Sequence, residues 1–281
     1  MRNNLMKNIY QALFSFFGFL LIVGCQLDSP EPQEDLLAEV VGKWAISSGD
    51  FSLLNKENYQ GDKSRFSSAN KGFIEFLSDG TFILVDGSSR TKTGKYTVNT
   101  DLSLALEGLG VVKDIQLKGD VLAFRLEMLN QVFSLESKKA QAVKSGEKTD
   151  ALCRTWVLDI DQFEKDNKFK LFSELDLEIE YEGYTLADIR VEVTFLNSGT
   201  YMSTLYGKGK VLKINTSNWQ WHPDRPHSIY YWWEEEELGE ADFPSYVDLA
   251  ELSKTRLVVH ENWIDDYTYL PSILITTLFP K

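Results

Sequence analysis

The sequence predicts an all-β protein: two tandem β-barrel or β-sandwich domains behind a short N-terminal leader. Three observations carry this expectation. Short β-type runs recur at hairpin spacing, with no helical periodicity between them in the first half. Gly-containing turn signals separate the runs. Three segments also occur twice, in the same order, in the two halves of the chain.

A length of 281 residues suits about two domains of ordinary size. Hydrophobic residues make up 43% and charged ones 25%, enough apolar material for packed cores. The 29 Lys and Arg face 42 Asp and Glu, a net charge of −13. That balance argues against a nucleic-acid partner, because phosphate binding draws its affinity from clustered cations. Two Cys and three His give little material for a disulfide scaffold or a zinc site, and no cofactor motif is present.

Arg2 and Lys7 form a basic start, and no acidic residue precedes Asp28. Residues 12–23 are apolar apart from Ser15. That run is shorter than the ~20 residues of a membrane span but suits the core of a signal peptide. It ends in Leu21-Ile22-Val23-Gly24-Cys25, which resembles a bacterial lipobox. The resemblance implies removal of residues 1–24 and diacylation of Cys25, which ties the chain to a membrane through lipid. Each buried acyl CH₂ contributes about 0.8 kcal/mol to such an anchor. Plain secretory cleavage and an uncleaved anchor are the alternatives.

Residues 25–38 carry Asp28, Pro30, Glu31, Pro32, Glu34 and Asp35 and read as an extended acidic tether. Acidic residues just after a lipid-bearing Cys resemble surface-export signals of some Gram-negative lipoproteins. Solubility explains them equally, so the expected location is the outer membrane with its face undecided.

A first domain is expected at 39–137, with strands over 42–48, 73–77, 81–86, 93–98, 102–107, 111–118, 121–127 and 131–136. Leu102, Leu104 and Leu106 alternate with Ser103 and Glu107, the period-2 pattern of a half-buried strand. Asp79-Gly80, Asp86-Gly87 and Gly119-Asp120 supply turns. Eight strands suffice to close a barrel whose interior is filled by side chains or holds one small ligand. Residues 138–150 read as a linker.

The second domain, 151–281, repeats the plan with insertions. Val41-Gly42-Lys43-Trp44 is echoed by Cys153-Arg154-Thr155-Trp156, and Phe76-Leu77-Ser78-Asp79-Gly80-Thr81-Phe82 by Phe195-Leu196-Asn197-Ser198-Gly199-Thr200-Tyr201. Residues 115–122 match 250–257. The charged segment 161–184 suits a helix or a flap equally, and 234–245 reads as an acidic loop.

The Gly-x-Trp opening, the Gly-Thr-aromatic hairpin, Gly94-Lys95-Tyr96 and the closing Leu-rich hairpin resemble bacterial lipocalin-like domains, which Gram-negative lipoproteins carry singly or in tandem. The resemblance implies that Trp44 and Trp156 pack across barrel floors. It implies no activity, since fold does not fix function. The second copy lacks a clear Gly-Lys-Tyr match; Asn218-Trp219-Gln220-Trp221 stands nearest.

Trp219, Trp221, Tyr230, Tyr231, Trp232 and Trp233 form the densest aromatic region and the candidate ligand-binding residues. Two readings stay open: a platform or cavity wall for a small hydrophobic ligand or a glycan, and ordinary core packing with a cross-strand aromatic ladder. In the run 230–233 both strand faces are aromatic, yet only one can pack an interior. Glu234 to Glu237 read as a solvated run rather than the separated carboxylates of a glycosidase. His222, His227 and His260 lack metal-ligand spacing, and Asp265-Asp266 lacks a calcium loop's alternation. Cys153 reads as a buried thiol.

The sequence thus leads to a non-catalytic, lipid-anchored outer-membrane protein that binds a small apolar or amphipathic ligand or a glycan in an aromatic-lined barrel. The rival reading is an adaptor docking on another envelope protein through exposed aromatic faces.

Overall fold

The computed structural model describes residues 32–49, 51, 53, 72–168, 170–171, 181–232, 246–264 and 271–281. Cys25 and the leader lie outside them. Helix α1 (Pro32–Val40) comes first, with Pro at its first position, where a missing N–H costs nothing. Much of the tether expected to be extended is therefore helical. The cause is local amphipathicity: Leu36, Leu37 and Val40 pack on the first barrel's core.

Eight antiparallel strands follow: β1 (Gly42–Ser48), β2 (Gly72–Phe76), β3 (Thr81–Asp86), β4 (Thr91–Val98), β5 (Leu104–Leu106), β6 (Gly110–Lys118), β7 (Val121–Met128) and β8 (Gln131–Lys139). Each pairs with the next, and β8 pairs back onto β1 to close a barrel. Closure removes every free edge. The alternation in β7 puts Leu122, Phe124, Leu126 and Met128 inside, around Trp44 and Phe76.

The run expected over 102–107 is shorter at its start. Leu102 sits at φ 61° in a turn and is exposed, because Asn99 and Asp101 bond the Ser103 hydroxyl and wind the chain before the strand begins. At the β3–β4 turn Gly87 does not supply the left-handed residue; Ser89 does, at φ 59°. The Asp86 carboxylate holds that turn, accepting from the Ser88 and Arg90 amides and from the Arg90 guanidinium.

Strand β8 runs to Lys139, and the connector beyond it carries helix α2 (Glu147–Leu152), so only part of it is irregular. A second closed barrel is built from β9 (Thr155–Leu158), β10 (Ile189–Phe195), β11 (Thr200–Gly207), β12 (Lys210–Trp221), β13 (Ser228–Trp232), β14 (Tyr246–Leu252), β15 (Leu257–Ile264) and β16 (Pro271–Pro280). The first part of segment 161–184 is helix α3 (Ile160–Asn167), capped by Asp159 and docked on β16 by two Asn167 bonds to the Ile275 backbone. The acidic loop 234–245 lies outside the described residues.

The two barrels are internal copies down to individual bonds. The Trp44 indole donates to Val40 O at the end of α1, and that of Trp156 to Leu152 O at the end of α2. Both rings are wholly buried at the barrel ends that these helices cover. The β2–β3 and β10–β11 turns share one bond pattern, Leu77 N to Thr81 O and Leu196 N to Thr200 O. Leu117 pairs with Leu122, and Leu252 with Leu257, in the matching late hairpins.

The barrels abut. Phe73, Ile83 and Val85 of the first pack against Leu196 and Met202 of the second. Three polar bridges cross the seam: Lys43 Nζ to Asn218 Oδ1 at 2.6 Å, Thr200 Oγ1 to Glu75 Oε2 at 2.7 Å, and Thr91 to Thr216 through their hydroxyls at 2.8 Å.

Candidate functional site

Strand alternation divides the aromatic region between two faces. Cross-strand partners share a face, and β12 and β13 pair Asn218 with Trp232, Trp219 with Tyr231, Gln220 with Tyr230 and Trp221 with Ile229. Trp219, Trp221 and Tyr231 face inward with the core cluster that contains Ile229. Tyr230 and Trp232 face outward, beside the amides of Gln220 and Asn218. The residues expected to form one site are thus divided between two strand faces, though Trp219, Trp221 and Trp232 line a common cleft; Trp233 lies outside the described residues.

The inward members pack as core. Trp219 is almost fully buried, its ring edge-on to Phe195 and to Trp221 at 5.7 and 5.8 Å between centroids. Its indole donates to Leu196 O, as the Tyr96 hydroxyl donates to Leu77 O in the first barrel. Trp219 is therefore the structural counterpart of Tyr96. Tyr231 donates to Glu261, and burial together with that carboxylate pushes the Tyr231 hydroxyl well above its ordinary range. Tyr201, also facing the interior, is pushed up to about 12, chiefly by burial.

Of the outward members, Trp232 borders a cleft of about 980 Å³ where the connector between the barrels passes β12, and Trp219 and Trp221 also reach its wall. One wall is the connector from Ala140 to Thr149; the other is β12 with the loop from His222 to Pro226. The Trp221 indole reaches Thr149 Oγ1 at 2.9 Å and pins α2 to this wall. Trp232 supplies an aromatic surface, and Lys43 with Asn218 marks the end nearest the seam. The Ser198 hydroxyl lines the cleft, buried and, among the described residues, without a hydrogen-bond partner. At the rim, His222 stacks on Tyr230 at 4.3 Å, and Arg225 covers the ring of Tyr246 at 4.3 Å.

Burial lowers the Lys43 ammonium to about 8, against the opposing pull of Glu75. Cys153 is pushed up to about 12 by burial and then by Asp150, so its thiol stays protonated at neutral pH. Among the described residues no three His, Cys, Asp or Glu side chains are grouped to hold a metal ion. Nor, among them, is any helix long and apolar enough to cross a membrane.

Sequence reasoning missed the cleft because the connector forms half of it. The available signal was the aromatic run on both faces of 230–232, which left Tyr230 and Trp232 with no interior to fill.

No protein-family model matches the chain, and no curated protein matches it. Two solved structures are similar in outline. One is a protein of unknown function of the DUF3598 family from Nostoc punctiforme, 11% identical, covering 89% of this chain and 100% of that one with a TM-score of 0.23. The other is a mutant of the vaccine antigen transferrin binding protein B from Haemophilus parasuis, 9% identical, covering 85% of this chain and 58% of that one with a TM-score of 0.20. At these scores neither bears on function.

Proposed function

We propose that this protein is a lipid-anchored, non-catalytic binding protein of the outer membrane that takes a small amphipathic ligand or a glycan in the inter-barrel cleft. One observation carries the binding reading. Trp232 stands with the Asn218 and Gln220 amides on the outer face of β12 and β13, at the wall of a concavity large enough for a sugar or drug-sized ligand. An aromatic face stacks on the apolar side of such a ligand, and amides orient its hydroxyls. Among the described residues the lining carries one carboxylate, Glu147, whereas glycosidases hold two across the scissile bond. The anchor rests on the Leu21–Cys25 sequence.

Intrinsic fluorescence titration against neutral and acidic oligosaccharides and medium-chain amphiphiles tests the binding. Trp232→Ala abolishes it under this reading, whereas binding unchanged in Trp232→Ala refutes the cleft. For the anchor, labelled palmitate enters the wild type and not Cys25→Ser; an unlabelled wild type refutes it.

A further inference from the structure

The chain is acidic, yet the cleft is basic. Lys43, Lys144, Lys148, Arg225 and His222 line it against the single carboxylate of Glu147. Among the described residues none of the four Lys and Arg cations has a carboxylate within 4 Å, although ten such ion pairs form elsewhere on these residues. Three of the four are held in place by neutral groups instead. Lys148 donates to Pro226 O at 2.8 Å, which bridges the two walls; Arg225 lies on the Tyr246 ring; Lys43 donates to Asn218. Lys43 is buried and feels Glu75, but Lys148 and Arg225, fixed this way without an ion-pair partner among the described residues, keep their charge available to a ligand.

Beside them stand a ring platform, Trp232, the amides of Asn218 and Gln220, and the unpartnered Ser198 hydroxyl. Cation, aromatic face and amide together match one kind of molecule: a ring with an apolar face, hydroxyls and a negative group. We propose that the cleft binds an acidic saccharide, a sugar bearing a carboxylate such as a uronic acid, with the ring on Trp232 and the carboxylate held by the basic lining. This rests on the binding reading above and adds the charge of the ligand to it.

The test is calorimetry on the purified full-length chain with oligogalacturonides and their methyl esters, which keep every ring and remove the charge. Glucuronate- and sialate-terminated oligosaccharides and neutral galacto-oligosaccharides complete the panel. At least one acidic probe is expected to bind, its uncharged counterpart at least 10-fold more weakly, and higher salt weakens the acidic form alone. Lys148→Gln with Arg225→Gln brings the acidic form down to its neutral counterpart, and circular dichroism verifies that the barrels are retained. Equal binding of an acid and its ester, or binding of the neutral sugars alone, overturns the acidic inference and leaves the binding cleft standing. No binding by any saccharide overturns the acidic inference, and if the amphiphiles of the fluorescence titration also fail to bind, the binding reading falls with it.

Discussion

At the scale of single residues, Asp86 and Lys43 show how burial makes one charged group a support and another a cost. Asp86 is completely buried, and each of its oxygens accepts donors, including the Leu53 amide and the Arg90 guanidinium. Removing a buried carboxylate strands those donors, so Asp86→Ala is expected to cost about 3–5 kcal/mol in urea denaturation. A loss below about 1 kcal/mol would show that the turn holds without it. Lys43 behaves oppositely. Its folded-state value is depressed to about 8 while the unfolded chain stays near 10.5, so between those pH values the unfolded state binds more protons. Stability contributed through Lys43 therefore rises with pH across that window, by up to about 3 kcal/mol, and the full cost of burying the cation persists below it. Comparing wild type with Lys43→Met from pH 7 to 10.5 checks this; the variant lacks the rise, and parallel profiles would contradict it.

Within the elements, legibility followed periodicity. Every first-domain strand was readable because one face of each meets the core, and β1 and β3 match to the residue. The covering helices α1 and α2 were not readable: nine and six residues give too little periodic pattern, and their role comes from the Trp that each one caps. The repeated hairpins allow a sharper test. Gly80 and Gly199 occupy equivalent turns at φ 78° and 82°, which an Ala adopts at a cost of about 1–2 kcal/mol. They differ in clearance. A Cβ at Gly80 would lie 3.7 Å from Tyr96 O, ordinary contact, whereas at Gly199 it would lie 3.1 Å from Trp219 O. Since backbone yields less readily than a side-chain tip, Gly199→Ala should destabilise more than Gly80→Ala in paired denaturation curves. Equal losses would mean that the β12 backbone shifts freely away from the turn.

In the whole molecule, the cleft exists because two barrels and their connector are locked together, which is why no local pattern announced it. Asn218 and Gln220 look like ordinary outward strand residues until β1 brings Lys43 to one and the connector closes over the other. The lock is the seam, where an apolar patch of Phe73, Ile83 and Val85 against Met202 is flanked by hydrogen bonds between the barrels. Placing a carboxylate in that patch adds the desolvation cost of a charge among apolar side chains, and Lys43, which lies over the Phe73 ring, already donates to Asn218. Neither barrel's interior is touched, because Met202 lies on the outer face of β11 with its neighbours Thr200 and Thr204. Met202→Glu should therefore part the barrels without unfolding them. Scanning calorimetry is expected to show one transition for the wild type and two for the variant, and small-angle scattering a larger radius of gyration with the circular dichroism unchanged. Ligand affinity should fall with it, because the two walls of the cleft are then no longer held in register. A variant that kept its binding after the barrels had parted would place the site on one barrel alone.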